Sequence, residues 1–145
     1  LKLLSAQYND IEFLPGSIVE LTNLEQLILN QNQIKFLPDS IGKLKKLDVL
    51  QLKFNRLKKL PISIGKCENL QFVYLNRNFL EEIPDSFGDL RKLRELHISG
   101  AGTLLSLPES MCGMRYLEVL EIDRTVVVPT CLLVLQTNRL RIVLN

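Results

Sequence analysis

The sequence predicts an α/β solenoid, with short parallel strands on a concave face and short helices or 3₁₀ turns returning along the convex side. Three observations carry this. The first is a frame that recurs every 23 residues, from Leu24 to Leu47 to Leu70. From Leu24 it reads Leu27, Leu29, Asn32, Ile34, Leu37, Pro38, Ile41, Gly42 and Leu44. From Leu47 it reads Leu50, Leu52, Asn55, Leu57, Leu60, Pro61, Ile64 and Gly65. From Leu70 it reads Val73, Leu75, Asn78, Leu80, Ile83, Pro84, Phe87, Gly88 and Leu90. A repeat of this length cannot bury its apolar seam alone, so the units must stack into one continuous core. The second observation is the Leu-x-Leu alternation that opens each unit, the pattern of a strand buried on one side. The third is the Pro-x-x-Ile-Gly-x-Leu segment, where Pro suits the start of a helical turn and supplies the crossover that parallel strands need.

The remaining units follow in order. The first spans Leu1 to Asn23 and carries Leu4, Ala6, Asn9, Ile11, Leu14, Pro15, Ile18 and Leu21. The unit from Leu93 keeps Leu96 and Ile98 but places Ala101 where Asn belongs. It also holds one extra residue, so its Leu-Pro pair falls at Leu107-Pro108. The unit from Leu117 has Leu120 and Ile122, replaces Asn by Thr125 and loses the Leu-Pro pair. A last strand is expected at Leu140 to Leu144, after a helical or irregular crossover from Pro129 to Thr137. Residues 1–145 read as one domain. In each unit the Asn turns the chain out of its strand, and its amide can pair backbone groups that a buried turn would strand. Asn9, Asn32, Asn55 and Asn78 should therefore form a ladder.

Composition narrows the function classes. Hydrophobic content of 46% and charged content of 23% are ordinary for a globular chain. A formal charge of +2 gives no argument for nucleic acid or an anionic membrane. No apolar run is long enough for membrane insertion. There is no phosphate loop, catalytic triad or paired acid–base cleft, so the reading is non-enzymatic and calls for no cofactor. The chain begins at Leu1 inside a repeat, without Met or a leader, which suggests a trimmed chain with sequence upstream. The cysteines, Cys67, Cys112 and Cys131, are sparse and odd in number, which argues against a disulfide scaffold. Cys67 falls in the apolar column of Leu21, Leu44, Leu90 and Met114, Cys112 takes the place of Gly42, Gly65 and Gly88, and Cys131 lies in the terminal cap.

With these residues in place, the chain resembles the leucine-rich repeat family in its 23-residue form, from Leu1 to about Thr125. Similar repeats occur in intracellular scaffolds of the Scribble and erbin type and in secreted or surface proteins of bacterial pathogens. The Ile98-Ser99-Gly100-Ala101-Gly102 turn is similar to the Leu-Ser-Gly-Cys turns of plant immune-receptor repeats. The resemblance implies a curved solenoid whose concave sheet binds another macromolecule, usually a protein.

The frame also tells which side chains leave the core. The middle units display Val49, Phe54, Phe72, Tyr74 and Phe79, with Lys53, Arg56 and Arg77 around them. The repeat requires none of these aromatics, and aromatics edged by Arg are the composition of interface anchors. They are the predicted partner-binding residues. The alternative is that the aromatics pair across strands and shield the sheet. Further along, Glu95 and His97 share a face, with Glu121 expected beside His97 and Asp123 two residues on. Such a group can bind a divalent cation or hold a proton. An open patch seldom fixes tetrahedral geometry, so no metal is assigned to His97, Glu95, Glu121 and Asp123. The leading expectation is a protein-interaction module, and the runner-up is a capping or regulatory stretch of a larger protein.

Overall fold

A computed structural model describes residues 1–135 and 139–145. The strands are β1 (Leu3–Ser5), β2 (Gln26–Ile28), β3 (Val49–Gln51), β4 (Phe72–Tyr74), β5 (Glu95–His97), β6 (Val119–Ile122) and β7 (Arg141–Leu144). They form one parallel sheet in chain order, and the helix α1 (Thr130–Leu135) precedes β7. Part of the crossover expected at Pro129 to Thr137 is α1; Thr137 itself lies outside the described residues.

Register follows the repeat. Leu27 pairs with Leu50, Leu50 with Val73, Val73 with Leu96, and Leu96 with Leu120. Every member of that column is buried. A slip of one residue would send the whole column to solvent, so the buried face itself holds the register.

The convex side is a series of 3₁₀ turns at Gly16–Glu20, Ile41–Lys43, Ile62–Lys66, Asp85–Asp89 and Glu109–Gly113. In four of them Pro stands just before the turn, with φ between −64° and −69° and an extended ψ. That φ is the one the pyrrolidine ring enforces. Its carbonyl accepts the first turn bond, as in Ile64 N–H to Pro61 O at 3.0 Å. Neighbouring turns touch through glycine: a Cβ on Gly65 would collide with the carbonyl of Ser86 in the next unit.

At the last turn the neighbour is α1 instead of another 3₁₀ turn, and Cys112 occupies the glycine place. There it is disulfide-bonded to Cys131 at the start of α1. This corrects the sequence expectation. An odd, sparse cysteine count says nothing against a single bond once stacking brings two positions 19 residues apart together. Cys67 remains a buried thiol that donates to Ile41 O at 3.3 Å, and burial pushes its pKa up to about 11.

The Asn ladder has a repeating pattern. Asn55 Nδ2 donates to Leu29 O at 2.9 Å in the preceding unit and to Leu52 O at 3.1 Å in its own, while Asn55 Oδ1 accepts Ile34 N–H at 3.0 Å. Asn78 makes the same set with Leu52, Leu75 and Leu57, and Asn32 with Ala6, Leu29 and Ile11. Asn9 holds only its own turn, through Ala6 O and Gln7 O. At Ala101 the side chain is missing and the backbone does the work. Leu80 N–H, which the frame would give to the next Asn, donates to Ala101 O at 2.6 Å. Among the described residues no helix is long and apolar enough to cross a membrane.

Candidate functional site

The predicted partner-binding residues fall into two groups. Val49, Lys53, Phe72 and Tyr74 lie on the concave strand face or at its edge; Phe54, Arg56, Arg77 and Phe79 lie on the rim, where the chain leaves each strand.

On the strand face, register stacks Gln51, Tyr74, His97 and Glu121 in one row across β3 to β6. The rings of Tyr74 and His97 stack with centroids 4.6 Å apart, and Lys53 Nζ stands 4.8 Å from the centre of the Tyr74 ring. The Tyr74 hydroxyl donates to Glu95 Oε2 at 3.2 Å. Burial, then the charge of Glu95 and this bond, raise the Tyr74 pKa. His97 is clamped between carboxylates: Nε2 is 3.0 Å from Glu95 Oε2, and Nδ1 contacts Glu121 Oε2. Only the imidazolium has an N–H for each of them. Burial works to raise the Glu121 pKa, but hydrogen bonds from His97, Asn145 and Asn76, with the His97 charge, outweigh it and hold the carboxyl below its usual range.

This arrangement bears on the candidate cation group. The two ring nitrogens of His97 face different carboxylates, and Asp123 is taken by Gly100 N–H at 2.7 Å and the Ser99 hydroxyl at 3.3 Å. Bonds among these residues and from Tyr74, Asn76, Ser99, Gly100 and Asn145 thus engage Glu95 Oε2, both ring nitrogens of His97 and both carboxylate oxygens of Glu121 and Asp123. Among the described residues, the donor atoms that converge are those of Glu109, Cys112 and Cys131, and those two sulfurs are bonded to each other. The division into an aromatic middle and an acidic end is not clean either, because Tyr74 belongs to both.

The rim is built differently. Tyr8, Gln31, Phe54 and Arg77 occupy equivalent places with φ between 54° and 59°, a left-handed conformation that side chains seldom adopt. The adjacent ladder holds it: Phe54 and Arg56 flank Asn55, and Arg77 and Phe79 flank Asn78. Phe54, Arg56, Arg77 and Phe79 then line one open groove of about 510 Å³, with Gly100 at its end. Phe54 is 52% exposed and Phe79 63%.

Two features were not read from the sequence. Gln7, Asn30 and Gln51 form a row of side-chain amides on the strand face; Asn30 Nδ2 donates to Gln51 Oε1 at 2.8 Å. Between the Asn turns and the 3₁₀ turns, Phe13 and Phe36 stack at 6.4 Å and line a groove of about 780 Å³ with Ile62. A signal existed: Ile62 stands where Asp39 and Asp85 occur in the neighbouring units.

The stacked parallel strands, convex 3₁₀ turns and Asn ladder define a repeat solenoid. The model for leucine rich repeat matches residues 1–57 and 45–105, and the chain belongs to the leucine-rich repeat family. No curated protein matches the sequence. Similar solved structures include the crystal structure of PEPR1–AtPEP1, 28% identical over 96% of this chain and 20% of that one, with a TM-score of 0.81. The plant peptide hormone receptor RGFR1 in complex with RGF2 is 26% identical over 99% of this chain and 26% of that one, with a TM-score of 0.79. An internalin from Listeria monocytogenes shares the fold at 17% identity, covering 96% of this chain and 39% of that one, with a TM-score of 0.77. The chain thus spans 20% and 26% of the first two of these chains. The leucine-rich repeat fold is typically a non-catalytic binding scaffold.

Proposed function

We propose that the chain is a non-enzymatic interaction module that holds a protein partner on its concave face and the adjoining rim. The residues assigned to the contact are Val49, Lys53, Phe54, Arg56, Phe72, Tyr74, Arg77 and Phe79. One observation carries the reading: aromatics that the repeat does not need stand beside guanidinium groups on the middle units. Half-buried Phe72 and Tyr74 offer a firm apolar floor, and exposed Phe54 and Phe79 offer area that a partner can cover. Interfaces draw most of their affinity from such anchors, while charges at the edge set register and association rate. The neighbour RGFR1, described in complex with RGF2, supports the same use of the shape.

The test is affinity capture from extract with wild type and a Phe72→Ala/Tyr74→Ala variant. Neither side chain faces the core, so circular dichroism should be unchanged. The variant is expected to lose the proteins that the wild type captures reproducibly. Retention of the same proteins at the same yield would reject the concave face as the contact.

A further inference from the structure

The rim groove has a one-sided chemistry. Among the described residues, no hydrogen bond or ion pair engages the guanidinium of Arg56 or Arg77. Some cations elsewhere on the surface meet partners from the adjacent unit: Lys35 meets Glu12 at 2.7 Å, Arg94 meets Glu118 at 3.2 Å, and Lys92 meets Asn69 at 2.6 Å. Others, such as Lys58, Lys59 and Arg124, stand without one among the described residues, so what sets Arg56 and Arg77 apart is their place together beside aromatic rings in one groove. Along the rim the adjacent unit supplies a second cation instead; the carboxylate of Glu12, bonded to Lys35, feels the Arg56 charge without contacting it. The nearby carboxylate of Asp123 is turned to Gly100 N–H and Ser99.

The groove is also shaped by a departure from the frame. Where other units carry Tyr8, Gln31, Phe54 or Arg77, the next unit has Gly100, at φ +67°. A Cβ there would stand 2.9 Å from Arg77 Cδ, so the glycine makes the room in which the Arg77 stem lies. Beyond it a second groove, of about 720 Å³, continues past Phe79 to Leu104, which is 84% exposed; its lining holds Glu81 and Asp123 and no cation, so the cationic stretch is confined to the first groove. The two grooves share Asn78, Phe79 and Gly100 and cross successive units.

We propose that this rim groove docks an extended acidic peptide segment: Asp or Glu carboxylates sit on Arg56 and Arg77, and an apolar side chain beside them lies over Phe54 and Phe79. This deepens the protein-binding reading and rests on it. A guanidinium binds a carboxylate through paired hydrogen bonds. The flanking aromatic rings exclude water from that contact and strengthen it. Adjacent units repeat at about 4.8 Å, and an extended chain rises about 3.3 Å per residue. Carboxylates two residues apart share one face of an extended segment and can therefore meet both cations. A basic or neutral segment would leave both guanidinium groups covered and unpaired, which is the larger penalty.

The test uses an array of random short peptides probed with purified wild type, Arg56→Gln/Arg77→Gln and Phe72→Ala/Tyr74→Ala. Arg56 and Arg77 are exposed, so the first variant should melt with the wild type. For the wild type we expect enrichment of peptides with Asp or Glu next to an apolar residue, and a signal that falls as ionic strength rises. For the arginine variant we expect the signal on those peptides to drop by about tenfold or more, as the loss of paired charge-assisted bonds implies. Enrichment of neutral or basic peptides, no enrichment at all, or equal binding by the arginine variant each overturns the proposal. If Phe72→Ala/Tyr74→Ala keeps the acidic peptides while Arg56→Gln/Arg77→Gln loses them, the rim site stands and the strand face is not the contact. The reverse pattern removes the rim site and leaves the strand face.

Discussion

The strand face and the rim carry similar residues and use them in opposite ways. On β4 to β6 the polar groups answer one another: Tyr74 reaches Glu95, His97 lies between Glu95 and Glu121, and Asn145 closes on Glu121 at 2.7 Å. On the rim, Phe54, Arg56, Arg77 and Phe79 point into a groove with none of these mutual bonds. The difference teaches that an aromatic or a charge outside the core is not in itself a binding element. A side chain whose polar group is satisfied within the fold offers a partner a fixed apolar floor, whereas one left unpaired beside a groove keeps its polar group for the partner. The two regions also hang on different supports, so each can be disturbed alone.

The largest effect should come from the support of the strand face. Cys131→Ser opens the bond that ties α1, the element before β7, to the last 3₁₀ turn. The expected loss is about 3 kcal/mol for a loop of this size, measured by chemical denaturation against the wild type under oxidising conditions. Binding at the rim, held by Asn55 and Asn78, should survive. Next is Asn55→Leu, which strands Ile34 N–H and removes donors from Leu29 O and Leu52 O. A loss of roughly 1–3 kcal/mol is expected, and here the rim groove should fail while the Tyr74–His97 stack persists. Unchanged denaturation would show that the ladder does not carry the turns.

A smaller effect separates the regions by pH. The Glu121 carboxyl sits below its ordinary value of 4.5 in the folded chain. Its contribution is complete above that pH and is lost as the pH falls through the folded-state value. Glu121→Gln should remove about 1 kcal/mol near neutrality and flatten the acid limb of the stability profile; a limb as steep as in the wild type would assign the effect to other carboxyls. The smallest stability effect belongs to the rim. Phe79→Ala should shift stability by no more than about 0.5 kcal/mol, since an exposed ring has little to lose on unfolding. A large loss would mean that the ring serves the fold and not a partner.

The repeat made most of the fold legible. Leu, Asn, Pro and Gly at fixed intervals specify strand, turn and crossover because each position has one physical job. The frame also separated core from surface, so Phe54, Phe72, Tyr74 and Phe79 were recognisable as side chains that the core does not need. It did not say which of them are satisfied at home. That depends on contacts between units, such as Tyr74 reaching diagonally from its own row to Glu95, and these follow from side-chain length and rotamer. The same limit explains Cys112 and Cys131, whose meeting depends on how α1 packs against the last turn. It also explains Ala101, where a backbone carbonyl does the work the pattern assigns to a side-chain amide. Such substitutions of backbone for side chain leave no mark in residue identity.

The central claim is that a protein partner is held by the concave face and its rim. The most direct measurement is a calorimetric titration of a purified captured partner against two variants. One, Phe54→Ala/Phe72→Ala/Tyr74→Ala, strips the proposed contact. The other, Phe13→Ala/Phe36→Ala/Ile62→Ser, strips the apolar groove between the Asn turns and the 3₁₀ turns. The first variant should lose about a hundredfold or more in affinity, the scale of losing interface anchors, while the second binds like the wild type. Full affinity in the first and loss in the second would contradict the central claim and move the binding site to the groove of Phe13, Phe36 and Ile62.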